Sequence, residues 1–205
     1  LVGWKEDFNM TFLDAIPSQK EAVQYLEAMA AAYPKRRIIL CGHSKGGNLA
    51  VYAGAFCTTA VQRRILQVYN HDGPGFSAET LKTAGYRSIA QRIETFVPQS
   101  SIVGMLMEHE EHYTVMSSTQ ISLWQHDPYS WEVLGPDFVR LNNVDRQSII
   151  LDSTIKHWIG ELDRSQREAF TDAVFQILSN TNAASFKEMN ENRMRSTALI
   201  LKALN

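Results

Sequence analysis

The sequence predicts a doubly wound, mostly parallel α/β sheet, with helices on both faces and a helical C-terminal segment. Two observations carry the prediction. Short apolar runs alternate with amphipathic stretches over the first 130 residues, and a glycine-rich turn joins one such run directly to a helix. The first helix is expected from the capping pattern Ser18-Gln19-Lys20-Glu21, continues through Val23, Leu26, Ala30 and Tyr33 at spacings of three and four, and stops before Pro34. Ile38-Ile39-Leu40-Cys41 follows as an unbroken apolar run, the pattern of a strand buried on both faces. From Gly46, the residues Leu49, Ala50, Ala53, Phe56 and Cys57 return to helical spacing. Further strands are expected at 65–69, closed by Asp72-Gly73-Pro74-Gly75, at 93–97 before Pro98, and at 113–118, with short helices between them.

Beyond Trp131 the pattern reads as helices only. Leu151, Ile155, Trp158, Ile159 and Leu162 form one stripe, Phe170, Val174, Ile177 and Leu178 another, and Ser165-Gln166-Arg167-Glu168 and Ser185-Phe186-Lys187-Glu188 repeat the capping pattern. The expected organisation is a core over 1–135 and a helical segment over 136–205 that packs on it or caps it.

Composition narrows the function. The 205 residues are 44% hydrophobic, enough for a packed core, and 20 Lys+Arg against 22 Asp+Glu give a formal charge of −2. That balance provides no basic field for nucleic acid or anionic lipid. The uncharged stretch 46–62 carries Asn48, Thr58, Thr59 and Gln62 and falls short of the roughly 20 apolar residues of a membrane span. Cys41 and Cys57 lie inside apolar segments and read as small buried hydrophobes of a reducing compartment, the cytoplasm. The chain opens Leu-Val-Gly-Trp without Met, so the N-terminal strands of the sheet are expected upstream of Leu1.

The chemistry concentrates at Gly42-His43-Ser44-Lys45-Gly46, a G-x-S-x-G between a strand and a helix. A serine held on such a sharp turn needs neighbours without side chains, so that strand and helix can approach, and Gly42, Gly46 and Gly47 supply them. Ser44 is the candidate nucleophile at the positive end of the following helix, with the Lys45 backbone N–H as an oxyanion donor. A serine needs a base, and in this arrangement the base follows it in the chain. Of the six histidines, His126 in Gln125-His126-Asp127-Pro128 is the candidate, since a loop after the last strand returns it to the same sheet end. His71, at a strand end, is the second choice, and His43 belongs to the turn itself. His109 and His112 stand three apart, not the four of a helical zinc pair, so the segment 108–112 reads as a solvated acidic stretch and no metal is expected. His157 reads as a structural residue beside Trp158. For the acid, the position beyond the strand 93–97 holds Ser100 and Ser101 instead of a carboxylate. Asp72, one strand earlier, is the candidate, with Asp127 as the alternative.

Gly42-His43-Ser44-Lys45-Gly46-Gly47-Asn48-Leu49-Ala50 resembles the elbow of lipase-like α/β-hydrolases, especially class 3 lipases. Trp4 with Asp7-Phe8, Asp72-Gly73-Pro74-Gly75, Ser101-Ile102-Val103-Gly104 and Gln125-His126-Asp127 extend the likeness, over residues 3 to 131, to a related bacterial family of unknown function. The resemblance implies an α/β-hydrolase-like fold and a serine hydrolase. Ser44 would attack a carboxylic ester or thioester of a small molecule or lipid, His126 would serve as base and then acid, and no cofactor is required. Two departures from class 3 lipases stand out: the strand end that supplies their other oxyanion donor would precede Leu1, and they carry an Asp where this chain has the Ser100/Ser101 region, so that either Asp72 has taken over or the triad is incomplete. Lys45 also takes the place of a usual apolar residue. A non-catalytic domain that binds an apolar ligand or a protein through the same cleft is the competing reading.

Overall fold

Pro17, whose ring presets a helical φ and removes an N–H that a first turn cannot use, opens helix α1 (Pro17–Ala32). The helix starts one residue before the Ser18 pattern expected from sequence. Gln19 folds back to accept the Ile16 backbone N–H at 3.0 Å, so Ile16 rather than Ser18 is the capping position. The structure, a computed structural model, describes residues 15–101, 103–104, 107, 109, 111–145, 165–166 and 169. The chain divides into two units, Ala15–Trp158 and Leu1–Asp14 with Ile159–Asn205. Of the second unit, only residues 165, 166 and 169 are described, and they are helical. Trp4, Asp7-Phe8, His157, the 185–188 pattern and most of the predicted helical tail lie outside the described residues.

In the first unit the elements run β1 (Ile38–His43), α2 (Lys45–Phe56), α3 (Thr59–Gln62), β2 (Ile65–His71), α4 (Ala78–Leu81), α5 (Ala84–Ile89), β3 (Ile93–Pro98) and β4 (Tyr113–Met116). These strands hydrogen-bond in the order of the chain, all parallel, and helical crossovers return the chain from β1 to β2 and from β2 to β3. Where helices alone were expected after Trp131, residues 133–141 form short strands: a hairpin of β5 (Val133–Leu134) and β6 (Asp137–Phe138) and a further strand, β7 (Arg140–Leu141). Gly135, at φ +63°, makes the hairpin turn, and β7 pairs antiparallel with β4.

The registers assign each strand residue to a face. Ile38, Leu40, Val68 and Ile93 share one cluster with Leu26 and Ala30 of α1, Val51 and Ala53 of α2, and Tyr86 and Ile89 of α5. Burying a side chain of that size contributes about 1.5–3 kcal/mol, so this layer is the main hydrophobic drive of the unit. On the opposite face Tyr69, Phe96 and Met116 pack with Trp131 and Phe138. Among the described residues the helices of this cluster cover one face of the sheet. Among the described strands β1 lies at the edge, and the reading of it as buried on both faces needs correction: Ile39 is 59% exposed and Cys41 is exposed. The outward side chains of β1 lie beyond the aromatic cover of the β2–β4 face. Cys57 is buried as expected, and burial pushes its thiol up to about 11.

Candidate active site

Four consecutive parallel strands deliver their C-terminal ends to one edge of the sheet. Ser44 follows β1, Asp72 follows β2, Ser101 follows β3, and His126 closes the 3-10 turn Ser122–His126 beyond β4. This is the edge where open α/β sheets place their chemistry.

Ser44 sits at φ 58°, ψ −133°, a strained conformation for a residue with a side chain, between the last residue of β1 and the first of α2. Its N–H donates to the His71 carbonyl at 2.8 Å, and its carbonyl accepts Gly47 N–H at 2.8 Å. Close approach fixes two of the three glycines expected to matter. A Cβ on Gly42 would stand 2.0 Å from the Gly46 carbonyl oxygen, and one on Gly47 would stand 2.0 Å from Asn70 Oδ1. Gly46 is the exception, since a Cβ there meets nothing within 4 Å. Lys45 is the first residue of α2, so its backbone belongs to the helix N-terminus beside Ser44.

Asp72 is also at positive φ, 52°, and is completely buried. Asparagine side chains hold its turn. Asn48, buried in α2, donates to the Pro74 and Gly75 carbonyls at 3.0 and 2.9 Å and accepts from Gln19 at 2.8 Å, while Asn70 Oδ1 accepts Gly73 N–H at 3.0 Å. Within this frame Asp72 Oδ2 accepts a hydrogen bond from His126 Nδ1 at 2.7 Å. The carboxylate only accepts, so Nδ1 carries the proton, and His126 Nε2 is left as acceptor for the Ser44 hydroxyl, 2.8 Å away. The second carboxylate oxygen, Oδ1, accepts from Ser101 Oγ at 2.5 Å and Gly104 N–H at 3.1 Å.

Other groups fix His126 from behind. Gln125 accepts the Ser100 N–H at 2.8 Å and donates to the Gln120 carbonyl at 2.8 Å, and its own carbonyl takes the Trp131 indole N–H at 2.8 Å. His43 donates through Nε2 to the His126 carbonyl at 2.7 Å, with the two rings 4.6 Å apart. Burial and the neighbouring His126 push the His43 imidazole below its ordinary value.

The remaining candidates lie elsewhere. His71 stacks on Phe96 with centroids 5.4 Å apart and donates through Nδ1 to the Gly42 carbonyl at 3.3 Å, and burial lowers its pKa. Asp127 points away from His126 and accepts the Tyr129 N–H at 3.0 Å, capping the turn Pro128–Ser130. His109 bonds Glu111, which is not solvated as expected but buried against Tyr86 and Thr95. Among the described residues no cluster of His, Cys, Asp and Glu is fit to hold a metal, and no helix is long and apolar enough to cross a membrane.

Ser101, Gly104, Asn48 and His43 all stand in the motifs of the sequence, but the contacts they make here are not legible in it. Each acts across 29 or more residues of chain except Asn48, whose 26 and 27 to the Asp72 turn are scarcely closer, and no local pattern records such contacts. Residues 1–176 match the model of the family described as Mbeg1-like. No curated protein and no solved structure matches the chain.

Proposed function

Because the chain belongs to the Mbeg1-like family, a lipase-like family, we propose that it is a serine hydrolase cleaving carboxylic ester or thioester bonds of small-molecule or lipid substrates. One observation carries this reading: a single imidazole bridges the Ser44 hydroxyl at 2.8 Å and a buried carboxylate at 2.7 Å. A serine hydroxyl is a weak nucleophile until a positioned base takes its proton, and the base in turn needs a partner that fixes its tautomer.

The reaction follows from that wiring. Ser44 Oγ attacks the acyl carbon as its proton passes to His126 Nε2, and the carbonyl electrons collect on oxygen. The Lys45 backbone N–H, at the positive end of the 12-residue α2, is the donor assigned to that oxyanion. Collapse of the tetrahedral adduct breaks the bond to the alcohol or thiol, which leaves with the proton from His126. Water then enters and gives a proton to Nε2 as its oxygen bonds the acyl carbon, and the acyl–Oγ bond breaks as Nε2 returns that proton to Ser44, releasing the acid. Throughout, Asp72 balances the imidazolium without itself being protonated. The two free cysteines accord with a cytoplasmic setting.

Labelling of the full-length protein with a fluorophosphonate probe, followed by peptide mapping, tests the reading. Adduct on Ser44 that disappears in His126→Ala is the expected result. A folded protein that neither labels nor hydrolyses 4-nitrophenyl esters would instead make the domain a binding module built on an inherited turn.

A further inference from the structure

The end of β3 takes part in the site through Ser101, a buried residue that touches neither Ser44 nor His126 among its hydrogen bonds. We propose that Ser101 is a positioning residue for the reaction: its hydroxyl locks the Asp72 carboxylate so that one oxygen, Oδ2, is presented to His126. The inference rests on the hydrolase reading above and extends it to the group that sets the acid.

The argument begins with the burial of Asp72. A carboxylate with no exposed surface must have its charge answered by donors, and three reach it: His126 Nδ1 on Oδ2, and Ser101 Oγ and Gly104 N–H on Oδ1. The donors divide by oxygen. Rotation about the last side-chain bond would swing Oδ2 out of line with His126 Nδ1, and the two bonds on Oδ1 oppose it. Ser101 makes the shorter one, 2.5 Å against 3.1 Å. Space is arranged around the same contact, since a Cβ on Gly104 would fall 2.2 Å from Asp72 Oδ1 and 3.0 Å from Ser101 Oγ. The serine itself is held from outside the site. Its N–H donates to the Pro98 carbonyl at 3.0 Å, and the preceding N–H, of Ser100, is taken by the side chain of Gln125, the neighbour of His126. Acid and base are thereby referred to one short segment after β3.

Removal of the hydroxyl has two consequences. The carboxylate gains freedom to turn away from His126, which lowers turnover without touching substrate binding. In the fraction that still faces His126, a carboxylate with one donor fewer holds the imidazolium more strongly and moves the acidic limb of the pH profile upward.

The test is the steady-state hydrolysis of 4-nitrophenyl butyrate by the full-length protein and its Ser101→Ala, Ser101→Cys and Ser101→Thr variants. For S101A we expect kcat to fall about tenfold, KM to stay within about twofold, and the acidic limb of kcat to move up by about half a pH unit, with S101T retaining most of the wild-type behaviour. S101C keeps the volume with a much weaker donor and covers the case in which S101A fails to fold. Unchanged kcat and an unchanged limb in a folded S101A or S101C would overturn the inference while leaving an active wild type, and with it the hydrolase reading, intact. Absence of wild-type turnover and labelling would instead strike the hydrolase reading itself.

Discussion

The Asp72 carboxylate, delivered from the end of β2, accepts the Nδ1 proton of His126 at 2.7 Å although 54 residues of chain separate them. Asp127, the immediate neighbour of His126, caps a turn of its own. Proximity in sequence and proximity in space therefore point to different carboxylates.

Asp72→Asn replaces the acceptor by an amide that can present an N–H to His126 and favour the wrong tautomer. Turnover of a 4-nitrophenyl ester is expected to fall by about 10³–10⁴. Asp127→Asn keeps an acceptor for the Tyr129 N–H and is expected to leave turnover within about threefold. Parallel kinetics on the two variants decide the acid, and a reversed order would reassign it to Asp127.

Ser44→Ala removes the attacking atom. Hydrolysis should fall by at least about 10⁴, with fluorophosphonate labelling lost. The serine side chain reaches His126 at a half-buried edge and not in the core, so the thermal midpoint is expected to move by no more than a degree or two. Turnover that survives the substitution would remove Ser44 from the mechanism.

The readable part of this site is the part built from local demands. Gly42 and Gly47 announce the elbow because two backbones meet there, and Asp72 and His126 follow from the expectation that successive parallel strands end on one edge. Ser101 and Gly104 stand in one of the quoted motifs, but their role at Asp72 has no local signature, since a serine that bonds a carboxylate has the same spelling as one that faces water. The two-residue strands β5, β6 and β7 are too short to show a period, and an apolar helical expectation overran them. Burial misled in the same way at β1, where Ile39 and Cys41 look like core until the position of the strand in the sheet is known. Gly46 has the motif position of a required glycine, yet its surroundings are open.

That contrast gives a direct test of the elbow. Gly46→Ala lies in the first turn of α2, in a helical conformation with free space around the new methyl, and should raise stability by a few tenths of a kcal/mol up to about 1. Gly42→Ala drives a methyl to 2.0 Å from the Gly46 carbonyl oxygen and requires strand and helix to separate, so the variant should unfold far earlier or fail to accumulate. Thermal denaturation of the pair measures both. Equal midpoints would mean that the close approach at Gly42 is not what holds the turn.

Asn48 is the link between α2 and the Asp72 turn. Its three side-chain hydrogen bonds, to Pro74, Gly75 and Gln19, lie in the interior, where a partner left alone costs about 1–3 kcal/mol. Asn48→Ala takes the donor from two buried carbonyls and one acceptor from Gln19, and a loss of about 3 kcal/mol, or roughly 10 °C in Tm, is expected. Activity should fall with it below the new midpoint, because the turn that presents Asp72 loses its anchor. A midpoint within a degree of wild type would show that water replaces the asparagine without cost.

Stability should fall with acid in two separate windows. Burial lowers the pKa of both His43 and His71 from 6.5, so the folded protein holds them neutral while the unfolded chain takes up protons from 6.5 downward. Their contribution is complete above 6.5 and declines as the pH falls toward their folded values. Glu111 acts lower. Burial alone would raise its carboxyl, but hydrogen bonds from His109, Tyr86 and Thr95 outweigh that and hold it at about 2, against 4.5 unperturbed. With the side chain almost wholly enclosed, the difference corresponds to stability on the order of 3 kcal/mol, full above 4.5 and lost as the pH falls through about 2. Midpoints in denaturant from pH 8 to pH 2.5 resolve the two limbs. His71→Asn should make the upper one shallower and leave the share of His43, since its amide can still donate to Gly42 but does not titrate, and Glu111→Gln should flatten the lower one alone. A Glu111→Gln protein that keeps the wild-type slope below pH 4.5 would place the acid sensitivity on other carboxylates.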